Sequence, residues 1–341
     1  MYGFSIVISI PLHSVMFYCV LTKTPACAKE FTKLLMMHLI SSFITEFYLS
    51  FLTIPVILFP IPSGYPEGPL AMTGISTYYL YGVGMTLVIF SANVMAHMHY
   101  YRFLKLTDYG EQYRKNVSGT IRNFMVIAYY LITAGKVFPF EYLVYSDEER
   151  TKMEYVNMNY KCLNPMLMDK RTMAYSLNPN AAIISLTAYF AYDLAVFASV
   201  IMIYAIFLKL TYHSIVKAES ISERTKILQT RLQLAMIMET IVAVACIVLP
   251  FTTYALIFIF EICIPDLNNI CMFFISIHSS CGCVALLLFN ESYRTAVYDL
   301  FKLFSGKLKQ TSNILIIGGG GNISNVDSIR TQMAQNRIAV I

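Results

Sequence analysis

Seven apolar stretches and an alternating distribution of basic residues predict an all-α, seven-transmembrane helix bundle with its N-terminus extracellular. The stretches run Phe4–Leu21, Leu34–Pro60, Ala71–Tyr101, Ile121–Phe140, Ala181–Leu208, Leu232–Phe260 and Ile270–Asn290. A helix needs roughly 20 apolar residues to cross hydrocarbon, so each qualifies as a span. The chain has 341 residues, 57% hydrophobic and 13% charged, with a mean hydropathy of +0.59. That is more apolar surface than a soluble core of this size hides.

Orientation follows from the links. Of the 25 Lys and Arg, 19 fall in links one, three and five and in the tail from Arg294 onward. Ile61–Leu70 and Glu261–Asn269 carry none, and the long Glu141–Asn180 link carries 5 against 6 acids. The positive-inside rule therefore places links one, three, five and the tail in the cytosol. The net charge of +5 sits beside spans, where anionic inner-leaflet lipids attract it; no nucleic-acid partner is expected.

The first span starts almost at Met1, yet no basic n-region precedes it, no small-residue cleavage site follows, and Lys23, Lys29 and Lys33 come after it. It reads as a retained outside-to-inside helix rather than a signal peptide, with an unusually short segment ahead of it.

Between the second and third spans, Pro55, Pro60, Gly64, Tyr65, Pro66 and Gly68 form a Pro-rich exit. The third span ends "AHMHYYRF" without an Asp-Arg-Tyr triplet. His97 and His99, two residues apart on a helix, point away from each other and are not read as a metal pair. Lys136 near the outer end of the fourth span and Asp193 mid-way along the fifth form a candidate pair, either a tether or a contact to a polar ligand. Pro250 removes a backbone hydrogen bond from the sixth span and predicts a kink there.

After the seventh span, Tyr293, Val297, Leu300, Phe301 and Phe304 recur on one helical face, with Arg294, Asp299 and Lys302 on the other. This predicts a short amphipathic helix on the inner leaflet. The seven-transmembrane domain is accordingly 1–304, and 305–341 is read as a disordered cytosolic tail.

Of eight cysteines, only Cys162, Cys263 and Cys271 lie near the outer face. One extracellular bridge is open there, from Cys162 to either of the others. Asn116, Asn290 and Asn322 begin sequons on the cytosolic side and are not expected to be glycosylated. No nucleophile motif, metal-ligand spacing or phosphate loop stands at a plausible depth, so no enzyme activity, cofactor or metal is expected.

Ionisable residues inside spans carry the most information, because each costs at least about 2.5–3.5 kcal/mol at the bilayer centre unless it faces protein or water. His13, Glu46 and His278 lie at comparable depths on spans one, two and seven. Glu46 is therefore expected to accept from His13 or His278 in one polar core, either as a structural cluster or as an activation or ion-sensing switch. Glu239, two turns into span six, joins the inner network. A ligand cavity is expected in the outer half, among spans three, five, six and seven. Tyr78, Tyr81, Tyr189 and Tyr254 are candidates beside Lys136 and Asp193, although with Trp 0 tyrosine must also form the interfacial belt. The Glu141–Asn180 link is long enough to fold over that mouth, with Tyr155, Tyr160 and Cys162 ordering it.

The stretches "LTKTPACAKEFTKLL" and "HLISSFITEFYLSFLTIPVILFPIPSGYPEGPL", with Thr24-Pro25, His38 and Glu46, resemble nematode serpentine chemoreceptors of class H, or the closely related class I, of the Str superfamily. "ERTKILQTRLQLAMIMET" leading to Pro250 and "SIHSSCGCVALLLFNESYR" add to the likeness, which covers about residues 12–304. The resemblance implies a GPCR-like fold and a chemosensory, olfactory-type receptor in the plasma membrane of a sensory neuron cilium. It also implies a small odorant as ligand and a heterotrimeric G protein α subunit as partner, met by Tyr101 and Arg102 when span six swings about Pro250. A seven-helix transporter or ligand-gated channel is the alternative, though no internal repeat supports the first and the charge pattern opposes the second.

Overall fold

Where the sequence turns from apolar periodicity to Pro, Gly and polar residues, the helices stop. The computed structural model describes residues 2–24, 29–135, 152–153, 155, 167, 169–175, 186–217, 223–300 and 302. Helix α1 (Tyr2–Lys23) contains Pro11 and ends on Lys23. Helix α2 (Lys29–Phe47) runs into a π-helical turn, Tyr48–Thr53. The second span was expected to reach Pro60 but ends here, because Pro55 lacks the N–H that would continue the helix and restricts Ile54 before it. Ile54 takes left-handed φ 43°, a costly conformation for a β-branched residue.

The chain then forms β1 (Pro55–Ile57) and β2 (Ser63–Pro66), antiparallel with Pro55 opposite Pro66. A third strand, β3 (Met173–Ala174), pairs with β2 and places part of the long link against this hairpin. The all-α bundle thus carries one small sheet, with prolines confined to strand ends as the ladder requires. Gly68 lets the hairpin return against the α2 terminus: its N–H donates to the Thr53 carbonyl, and a Cβ there would come 2.4 Å from the Leu52 carbonyl oxygen.

After a 3-10 turn (Pro69–Thr73), helix α3 spans Thr77–Leu106, starting later and ending later than the expected Ala71–Tyr101. Thr107 closes α3 and caps α4 (Asp108–Asn116), its hydroxyl accepting from the Gly110 N–H at 2.8 Å. Asp108 and Glu111 in the first turn and Arg114 and Lys115 in the last suit the α4 dipole. Ser118 caps α5 (Gly119–Thr133), which ends short of the expected Phe140; residues 136–140 lie outside the described residues.

Helix α6 is Leu186–Lys217. Helix α7 (Glu223–Ala243) passes through a second π turn (Val244–Val248) into α8 (Leu249–Ile259). Helix α9 is Pro265–Phe289, with Pro265 at its first turn and Asp266 beside it. Five helical spans among the described residues are long and apolar enough to cross a membrane, and Ile201–Val216 of α6 is a shorter apolar one.

In the bundle α9 packs on α1, α2, α7 and α8, while α3 packs on α2, α5 and α6. Two units divide the chain, Met1–Arg294 and Thr295–Ile341. Residues 291–300 are helical where the amphipathic segment was expected; Phe301 and Phe304, like the tail, fall outside the described residues. Exposed Val7, Leu21, Leu131, Ile241 and Ile259 give the bundle the apolar exterior that lipid requires.

Candidate functional site: an apolar cavity and a polar core

At the hairpin end, Tyr48, Phe59, Val88, Ile247, Tyr254, Ile257, Met272 and Ile275 form one buried cluster. Beside it lies a cavity of about 160 Å³ walled by the first π turn, the hairpin, α3, α8, α9 and the β3 segment. The first π turn contributes Leu49 and Thr53, and π turns are over-represented at functional sites. Two contacts fix the walls. Asn268 on α9 donates to the Phe59 carbonyl at 2.8 Å, and the Tyr254 hydroxyl donates to the Asn268 carbonyl at 2.9 Å. Tyr155 is buried and donates to the Tyr175 carbonyl, and Met173 and Tyr175 line the cavity.

Of the expected ligand residues, Tyr81 and Tyr254 line this cavity. Tyr78 is buried but turns to Tyr79, ring centroids 5.6 Å apart, and is not among the lining residues. Lys136 lies outside the described residues, as do the side chains of Tyr189 and Asp193. The pocket was expected among spans three, five, six and seven; the described lining comes from spans three, six and seven together with the end of α2 and the hairpin, and most side chains in the first half of span five lie outside the described residues. The Pro-rich run that ends the second span was the signal for this, since it forces the chain to fold back at the bundle mouth.

The rim is polar. Arg171 donates to both Asp169 oxygens, at 3.1 and 2.8 Å, and its guanidinium lies 5.8 Å from the Tyr65 ring. The Arg171 hydrogen bonds hold the Asp169 carboxyl down at about 2. The Thr77 hydroxyl at the start of α3 donates to the Arg171 carbonyl at 2.6 Å. Cys263 is disulfide-bonded and Cys271 is a free thiol, which decides between those two; Cys162 lies outside the described residues.

Toward the α4 end, the buried polar residues meet, with partners different from those expected. His13 bonds the Ser279 hydroxyl at 2.7 Å through Nε2. Glu46 accepts from the Ser280 N–H at 2.9 Å and the Ser280 hydroxyl at 2.7 Å, not from either histidine. His278 turns its Nδ1 to its own helix, 2.8 Å from the Ile275 carbonyl. The physical reason is that α9 presents two successive serines to α1 and α2, and short hydroxyls span the gap without burying a net ion pair.

Glu239 pairs with His38 Nε2 at 2.8 Å, both nearly buried. The sequence marks His38 only as part of a motif; its place four residues before Ser42, which bonds Ser91 on α3 at 2.7 Å, is the available signal for a polar stripe on α2. His99 bonds Thr240 at 3.1 Å while His97 turns to the Tyr130 ring, 6.3 Å away. Among the described residues no group of three metal-ligating side chains occurs.

Arg102 is 4% exposed. Its Nε donates to Gln233 Oε1 at 3.0 Å and its Nη2 to the Gln229 carbonyl at 3.3 Å, and the Phe31 ring covers it at 5.7 Å. Neutral glutamines therefore close α7 over α3. Tyr101 packs against the same Phe31 ring, centroids 6.3 Å apart, with Lys105 Nζ 5.7 Å from its own ring. Thr24 bonds the buried Tyr293 hydroxyl at 3.0 Å, so Tyr293 ties α1 to the segment after α9.

The described residues thus form a helical bundle with membrane-length apolar helices, an apolar cavity at one end and a buried polar network toward the other. Residues 2–303 match the family described as serpentine type 7TM GPCR chemoreceptor Srh. The chain belongs to that family and is a multi-pass membrane chemoreceptor. No curated protein matches it.

Proposed function

We propose that the chain is a plasma-membrane chemosensory receptor that binds a small odorant in the hairpin-end cavity and activates a heterotrimeric G protein at the α4 end. The observation that carries this reading is that α3 and the α7–α8 helix line the cavity at one end and hold the Arg102 lock at the other. A ligand that prefers one setting of α8 biases the lock, and it shifts the equilibrium only by that difference in affinity. The concentration of Lys and Arg in links one, three and five supports a cytosolic α4 end. The second π turn lies between the two sites, next to Pro250, and supplies a joint about which α7 moves away from Arg102.

In this reading Tyr101 and Arg102 border the G-protein site, while His13, Glu46, His278 and Glu239 hold the resting bundle. No catalytic step or cofactor enters, and the location is a sensory neuron cilium. The test is odorant binding beside G-protein activation in cells expressing the chain. Ligand-dependent nucleotide exchange supports the reading, and sustained solute uptake without exchange overturns it.

A further inference from the structure

The inference below rests on the reading of the hairpin-end cavity as the ligand site. We infer that the cavity takes an uncharged, largely hydrocarbon molecule of about six to eight heavy atoms carrying one hydrogen-bonding oxygen, which the Ser63 hydroxyl recognises. The size follows from the volume of about 160 Å³, close to the roughly 150 Å³ apolar cavity that accommodates benzene.

The charge class follows from the walls. No Asp, Glu, Lys, Arg or His is among the described lining residues, and an ion in such a site loses its hydration without compensation. Amines and carboxylates are thereby excluded. The single oxygen follows from the polar inventory, in which the lining tyrosines Tyr81 and Tyr175 each have interactions of their own. The Thr53 hydroxyl is spent on the Tyr48 carbonyl and that of Tyr254 on the Asn268 carbonyl. Ser63, at the start of β2, is 5% exposed and its hydroxyl has no hydrogen-bond partner.

A buried hydroxyl without a partner is unfavourable and unusual. A ligand carbonyl or hydroxyl oxygen removes that penalty once the side chain moves among its staggered rotamers. The rest of the wall, including Leu80, Val88 and Met272, then covers the hydrocarbon. Specificity for the oxygen comes from one hydrogen bond, and affinity comes from apolar burial.

The test uses the purified full-length chain in lipid nanodiscs with three probes of one shape: cyclohexanone, methylenecyclohexane and cyclohexylammonium. Thermal unfolding against probe concentration gives apparent affinities. The two neutral probes should raise Tm and the ammonium should not, with cyclohexanone binding roughly three- to ten-fold tighter than the hydrocarbon, the worth of one net hydrogen bond. Ser63→Ala should bring the two neutral probes to equal affinity while leaving methylenecyclohexane unchanged, which also shows that the variant folds. Ala255→Phe, which fills the cavity, should abolish both shifts and so separates binding from partition into lipid.

Ammonium binding as tight as the ketone, an unchanged ratio in Ser63→Ala, or no shift with any probe each overturns the inference. Nucleotide exchange is not part of this readout. Probe binding without G-protein activation therefore upholds the cavity chemistry while sinking the receptor reading, and activation without probe binding does the reverse.

Discussion

Glu46 accepts two hydrogen bonds from Ser280 inside the bundle, so its substitution separates a structural from a signalling role. Glu46→Gln keeps the size but offers one acceptor oxygen instead of two, leaving one Ser280 donor poorly matched. A stability loss of about 1–3 kcal/mol is the expected structural cost. If Glu46 also biases the resting bundle, basal nucleotide exchange rises several-fold at matched surface density. Normal activation curves in the presence of that stability loss leave only the structural role. At the rim, the Asp169–Arg171 pair gives a smaller effect with a defined sign. A carboxyl held down at about 2 stabilises the fold above its ordinary value near 4, and that contribution disappears as pH falls through about 2. Because the pair is exposed, Asp169→Asn should cost less than about 1 kcal/mol near neutral pH and nothing below pH 2, read as the difference in unfolding midpoint between variant and parent.

At the scale of elements, the sixth span was read as a helix kinked by Pro250, and the structure adds a π turn over Val244–Val248 just before it. A proline removes one donor, and the wider turn re-spaces the carbonyls that lose it. Pro250→Ala is expected to regularise this joint and lower the maximal ligand-stimulated exchange several-fold, with cavity binding changed less than about three-fold. Arg102→Ala is expected to uncouple exchange in the same assay while binding survives, since a 30-residue α3 places the two ends roughly 45 Å apart. Normal activation in both variants would rule out the joint mechanism. The neighbouring element shows why boundaries were harder to read than spans. Leu34–Pro60 is one apolar run, and composition cannot tell a helix from a strand in its last residues. Pro55 was visible, but the pairing of Val56 with Tyr65 depends on a partner strand that only the fold supplies.

For the whole molecule, the basic links predict that a tag inserted near Ser146 is accessible on intact cells and one after Lys309 is not. Labelling in the reverse sense would overturn both the topology and the G-protein assignment.

Apolar span lengths determined the bundle, and the distribution of Lys and Arg determined its predicted orientation, because burial in lipid and the cytosolic charge bias act on each segment without reference to its neighbours. The motifs around Thr24, Glu46 and Ser279 carried the family for a related reason, being local runs of sequence. The partners were decided by the tertiary structure alone. Glu46 was visible as a costly buried acid, but its choice of Ser280 over His13 or His278 depends on the rotation of α9. Arg102 was visible as a basic residue at a span end, and its closure by Gln229 and Gln233 depends on where α7 packs. The cavity likewise exists because the hairpin and β3 return over the bundle mouth. Hydrogen-bond partners and cavity walls are set by ångström-scale relations between distant segments, and a hydropathy pattern contains no such distances.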